Sequence, residues 1–175
     1  MESVRRELLK ALLIAAALHG VFCVAIPLTI LRLTSGLVLP PPSAVTVLGV
    51  AIVGAGFMLY LRVVWELVVL AGVSASPLAA PTHLRTEGLY AWSRNPLLFG
   101  VVLMLFGEAV VFGSVPLAIY AAAYWTWLHL FLVFKEEPAL QAQFGDTYRA
   151  YCLRVPRWFL PPGTAGGPPA VCGAG

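Results

Sequence analysis

The sequence predicts an all-α membrane protein: four transmembrane helices, a tight hairpin between spans three and four, and a cytoplasmic interfacial helix near the C-terminus. Three observations point there. Of 175 residues, 60% are hydrophobic and 11% charged, against about 25% charged in soluble domains; mean hydropathy is +0.88. Apolar stretches long enough to cross a bilayer, which takes roughly 20 residues for about 30 Å of hydrocarbon, recur along the chain. The basic residues gather on one side of the resulting topology. Such a composition excludes a water-facing enzyme domain and a disordered chain. Eleven Lys+Arg against eight Asp+Glu is too slight an excess for a nucleic-acid binder.

The first span runs from Ala11 to Leu31, between Lys10 and Arg32. It exceeds the about 7–15 residues of a signal-peptide core and lacks a small-residue cleavage site, so it reads as a retained helix. The second covers Ala44 to Leu61, with the helix able to continue through Val73. The third, Pro96 to Phe112, is interrupted by Glu108, and the fourth, Val115 to Phe134, is bounded by Lys135. Only Gly113-Ser114 separates the last two, which forces an antiparallel hairpin.

Arg5, Arg6, Lys10, Arg85, Arg94, Lys135, Arg149, Arg154 and Arg157 fall on one side of this arrangement, and Arg32 stands opposite. The positive-inside rule then puts both termini and the 74–95 loop in the cytoplasm. Pro40-Pro41-Pro42 marks the outer turn. Residues 136–152 are polar enough for an interfacial helix, and 161–175 reads as a flexible tail. Residues 1–160 form a single domain. Cys23, Cys152 and Cys172 have no metal-type spacing and are odd in number, so neither a disulfide framework nor a metal site is expected.

The polar residues with chemical potential lie in two blocks. One is Thr82-His83-Leu84-Arg85-Thr86-Glu87-Gly88-Leu89-Tyr90-Ala91-Trp92-Ser93-Arg94-Asn95-Pro96, with Gly100 just inside the third span. The other is Lys135-Glu136-Glu137, then Phe144-Gly145-Asp146-Thr147-Tyr148-Arg149-Ala150-Tyr151 and Val155-Pro156-Arg157. The hairpin returns the second block to the membrane face where the first one ends.

Together these blocks resemble the isoprenylcysteine carboxyl methyltransferase and phospholipid methyltransferase group of integral membrane enzymes. The shared pattern is Gly-x-Tyr-x-x-x-Arg-(His/Asn)-Pro, a helical hairpin, Glu-Glu, Phe-Gly-x-x-Tyr-x-x-Tyr and a Val-Pro-Arg-like ending, spread here over residues 76–160. Asn95 stands where many members have His, and Leu98 where Tyr is frequent. The resemblance implies S-adenosyl-L-methionine as methyl donor, bound at the cytoplasmic membrane face. The acceptor is then a lipophilic small molecule, a lipid or a prenylated chain, and the accepting atom stays open. The cofactor residues it implies are His83, Leu84, Gly88, Tyr90, Arg94, Asn95, Pro96, Gly100, Glu136, Glu137, Tyr148, Tyr151 and Arg157, with Arg94 and Glu137 in catalytic positions.

The residue types suit that donor. Its ammonium calls for a carboxylate, its carboxylate for a cation, and its sulfonium for an aromatic face, which contributes about 0.5–2 kcal/mol. Glu137, ahead of Glu136, is preferred for the ammonium. Arg94 and Arg157 provide positive charge. Methyl transfer needs alignment and desolvation, and proximity alone supplies roughly 7–11 kcal/mol.

Several of these residues also have structural readings. Asn95 suits a helix cap ahead of a first-turn proline; Gly88 a tight turn; Gly100 helix packing; Tyr90 and Trp92 an interfacial belt. Arg62 and Glu66, four apart on a helix, are expected to pair. Glu108, though charged within a span, lies near the outer turn and reads as structural. His129 stands before the Glu pair and is a candidate lining residue for the acceptor path. The alternatives are an NADPH-dependent enzyme related to sterol reductases and a non-catalytic four-helix membrane protein. The first needs more spans and more basic residues; the second needs polar residues at mid-membrane.

Overall fold

A computed structural model describes residues 17, 19–36, 38, 40–66 and 83–159. The tail from 161, the continuation of the second span through Val73, the 74–82 part of the long loop and the start of the first span lie outside the described residues. The described residues are helical, without strands. The helices are α1 (Val21–Thr34), α2 (Ala44–Trp65), α3 (Pro96–Phe112), α4 (Val115–Phe131) and α5 (Glu137–Arg154), with a short 3₁₀ turn at Gly88–Ala91. Two helical stretches are long and apolar enough to cross a membrane: Ala44–Trp65, and Val115–Arg154, which joins α4 to α5. Val21–Thr34 and Pro96–Phe112 are shorter apolar helices.

Local chemistry sets most boundaries. The Ser43 side chain caps α2 by accepting from the Thr46 N–H, and Ser114 caps α4 by accepting from Leu117. Between α3 and α4, Gly113 takes the left-handed conformation (φ 55°) that ends a helix at low steric cost. The two-residue hairpin of the sequence reading is therefore present.

Two segments, Val21–Ala25 and Leu132–Glu136, are wound as π turns, and each is followed two residues later by a proline, Pro27 and Pro138. A proline within a helix lacks an N–H and crowds the preceding turn; a wider turn accommodates both. The chain thus stays helical across Lys135-Glu136-Glu137, and the helix expected over 136–152 continues directly from α4. It breaks at Gly145 (φ 54°, ψ −128°), and the Gln141 amide donates to the Gly145 carbonyl at 3.0 Å.

The tightest packing is between antiparallel α2 and α3, where glycines meet at seven-residue spacing. A Cβ on Gly56 would stand 2.7 Å from the Gly100 carbonyl oxygen, and one on Gly100 2.8 Å from that of Gly56. Gly49 presses on Val111, and Gly107 on Val53 and the Gly49 carbonyl. In an apolar solvent, close backbone approach through small residues is the main source of helix attraction. Gly100 therefore has a packing reason for being glycine.

Around this pair, Cys23, Val101, Met104, Leu105 and Ala121 form a buried core. Tyr120 on α4 donates to the Phe22 carbonyl of α1 at 2.9 Å. A second buried group, Tyr148, Tyr151, Cys152 and Val155 with Leu84 packed on it, is built on α5 and its C-terminal cap. Cys23 is a free thiol, whereas Cys152 is disulfide-bonded.

Candidate functional site

The antiparallel course of α2, α3 and α4 returns four pieces to one end of the bundle. They are the C-terminal end of α2, the 88–95 segment, the start of α3, and the α4–α5 junction with the chain that follows α5.

The two blocks are joined there by main-chain bonds. The Arg94 N–H donates to the Pro156 carbonyl at 2.9 Å. The Arg157 carbonyl accepts from Ser93 Oγ and from Asn95 Nδ2, each at 3.2 Å. Ser93, fully buried, also accepts from the Asn95 N–H at 3.1 Å. Asn95 holds the N-cap position of α3, yet its side chain makes no cap bond; it ties α3 to the C-terminal segment instead. Pro96 follows in the first turn.

At the centre is a buried ion cluster. Arg157 grips Glu137 through Nε–Oε1 at 2.6 Å and Nη2–Oε2 at 2.9 Å, and Arg94 Nη1 reaches the same Oε1 at 3.0 Å. The side chains of Glu137 and Arg94 are each 3% exposed. Arg94 Nη1 also lies 2.9 Å from Cys152 Sγ. The hydrogen bonds to Glu137 strengthen the hold of Arg157 on its proton. Such an arrangement is rigid, because an unpaired buried charge costs several kcal/mol, on the order of 3–5.

Glu136 differs from its neighbour. Half-buried, it makes no hydrogen bond or ion pair among the described residues, and burial followed by repulsion from Glu137 raises its pKa above the usual carboxylate value. Beside it, burial pushes the Tyr90 hydroxyl up to about 12, with Glu136 and Glu66 adding and Arg85 opposing, so Tyr90 is a neutral phenol at ordinary pH. The Tyr90 carbonyl accepts from Tyr151 Oη at 2.7 Å. Gly88 (φ 60°) turns the chain into the 3₁₀ segment.

Other predicted residues lie further from the charges. His83 is exposed, Leu84 packs on the tyrosine cluster, and Trp92 is exposed. Gly100 faces Gly56. His129 accepts from Trp158 Nε1 through Nδ1 at 3.2 Å and stacks on that ring. Arg62 and Glu66 pair as expected, at 3.1 Å.

Two residues at this end escaped the sequence reading. Ser93 bonds both blocks; its only sequence signal is a short polar side chain two residues before Asn-Pro. Glu66, assigned only to Arg62, also accepts from the Leu89 N–H at 3.3 Å. Its signal is an acid closing an apolar helix.

No curated protein and no solved structure matches the chain. A family model described as phospholipid methyltransferase matches residues 44–147, which takes in α2, α3, α4 and the first block with the Glu pair. With that match spanning more than half of its length, the chain belongs to the phospholipid methyltransferase family of integral membrane methyltransferases.

Proposed function

We propose that this protein transfers a methyl group from S-adenosyl-L-methionine to a lipophilic acceptor at the cytoplasmic membrane face. In this reading residues 1–160 form one four-span domain with both termini cytoplasmic. The carrying observation is that the fold joins the 93–95 and 156–157 segments beside the Glu pair and gives Glu136 no counter-charge among the described residues. A half-buried carboxylate without a counter-charge is costly, and a bound ammonium offsets that cost.

When bound, S-adenosyl-L-methionine supplies an electrophilic methyl on a sulfonium. The residues here divide the work of holding it. Glu136 takes the ammonium. Glu137 is occupied by two guanidiniums and acts by positioning Arg94 and Arg157. That cluster carries a net single positive charge, which suits the donor carboxylate. Tyr90 contributes a neutral aromatic face for the sulfonium. These groups orient and desolvate the reactants, and none acts as a covalent nucleophile.

The test is calorimetric binding of S-adenosylhomocysteine to the detergent-solubilised chain, together with methyl-labelled donor and a membrane lipid extract. Binding that Glu136→Gln abolishes, with label in a lipid product, is the expected result. A folded wild-type chain that neither binds nor labels refutes the reading.

A further inference from the structure

Glu66 is 7% exposed at the C-terminal end of α2, and the ion pair it makes does not account for that burial. Arg62 is 55% exposed on its side chain, and such half-solvated i,i+4 pairs contribute only about 0.3–0.5 kcal/mol. Among the described residues, the 3₁₀ turn packs on the carboxylate. The Leu89 N–H donates to Oε2 at 3.3 Å. At Gly88, a Cβ would stand 2.6 Å from Oε2, 2.9 Å from Cδ and 3.0 Å from Oε1. The positive φ and the contact both require glycine there. Arg62 Nη2 holds the other oxygen at 3.1 Å.

The turn so gripped carries Tyr90, whose carbonyl accepts from Tyr151 Oη at 2.7 Å. Three residues further on, Ser93 begins the stitch to Pro156 and Arg157. The 88–95 segment is therefore clamped at both ends, with Glu66 as the clamp from the membrane helix.

We propose that Glu66 is a positioning residue for the donor site: it fixes the 88–90 turn, and with it Tyr90, to the end of α2. This rests on the methyltransferase reading above.

The experiment compares wild-type, Glu66→Ala, Glu66→Gln and Gly88→Ala chains in detergent. It reads hydrogen exchange at the Leu89 amide in ligand-free protein and calorimetric affinity for S-adenosylhomocysteine. Loss of one hydrogen bond to a charged group corresponds to roughly a tenfold effect. Glu66→Ala is expected to speed Leu89 exchange and weaken binding by about that factor. Glu66→Gln, whose amide oxygen still accepts, restores most of both. Gly88→Ala, which drives a methyl into an intact Glu66, weakens binding as well and carries the test if Glu66→Ala does not fold. Unchanged exchange or unchanged affinity in Glu66→Ala, or no rescue by Glu66→Gln, overturns the inference. A folded wild-type chain that binds no S-adenosylhomocysteine sinks the methyltransferase reading instead, while Leu89 exchange still decides whether Glu66 holds the turn.

Discussion

Arg157 meets Glu137 across twenty residues of sequence with two parallel hydrogen bonds, Nε–Oε1 at 2.6 Å and Nη2–Oε2 at 2.9 Å. The same oxygen that takes Arg157 Nε also takes Arg94 Nη1 at 3.0 Å. One buried acid thus fastens the start of α3 to the chain that follows α5.

Removing that acid leaves two guanidiniums without their counter-charge, one of them almost wholly buried. Glu137→Ala should lower stability by about 3–5 kcal/mol. Arg157→Ala, at a side chain 17% exposed, should cost less. Thermal unfolding in detergent checks the ranking, and equal or negligible shifts would contradict it.

Glu136 should behave in the opposite way. Its folded-state pKa lies above that of an exposed carboxyl, 4.5. Between the two values the folded chain binds more protons than the unfolded one, so the contribution of this group to stability falls as pH rises through that window. Glu136→Gln should remove that slope and leave the protein as stable or more so at neutral pH, while donor binding is lost. Stability–pH profiles of the two chains decide it; a steeper loss in the variant would count against the assignment.

The α2–α3 contact predicts a contrast between two glycines two residues apart. Gly56→Ala forces a methyl to within 2.7 Å of the Gly100 carbonyl and should destabilise by about 1–3 kcal/mol through overpacking. Gly54→Ala meets nothing within 4 Å and should be neutral or stabilising by up to about 1 kcal/mol, since alanine favours a helix. Paired melting curves would expose the error if the order reversed.

Tyr151→Phe deletes the donor to the Tyr90 carbonyl and nothing else of comparable length. The expected cost is about 1 kcal/mol, with faster amide exchange confined to the 88–92 turn. Exchange that rises equally throughout α3 would show that the bond supports the whole bundle instead.

The apolar run ending in Gly-Ser was enough to place α3 at Pro96–Phe112 and start α4 at Val115, because capping and left-handed glycine are local effects. The i,i+4 spacing sufficed for Arg62–Glu66 for the same reason. The junction near Pro138 was harder. A run of Lys-Glu-Glu-Pro reads as an interruption, yet a π turn lets one helix pass through it.

The hairpin argument, from chain length and polarity alone, also put the Arg-Asn-Pro segment and the twin acids at one end of the molecule. It preferred Glu137 to Glu136 for the ammonium, but spacing could not settle their order, since adjacent residues share the same composition and the same depth. That division depends on which carboxylate Arg157 and Arg94 can reach, and so on the direction in which α5 leads the chain back. The second attachment of Glu66 is of the same kind. Local sequence determined where α3 and α4 begin and end; the pairing of buried charges was decided only by tertiary packing, because the partners of a desolvated ion are set by distances through space.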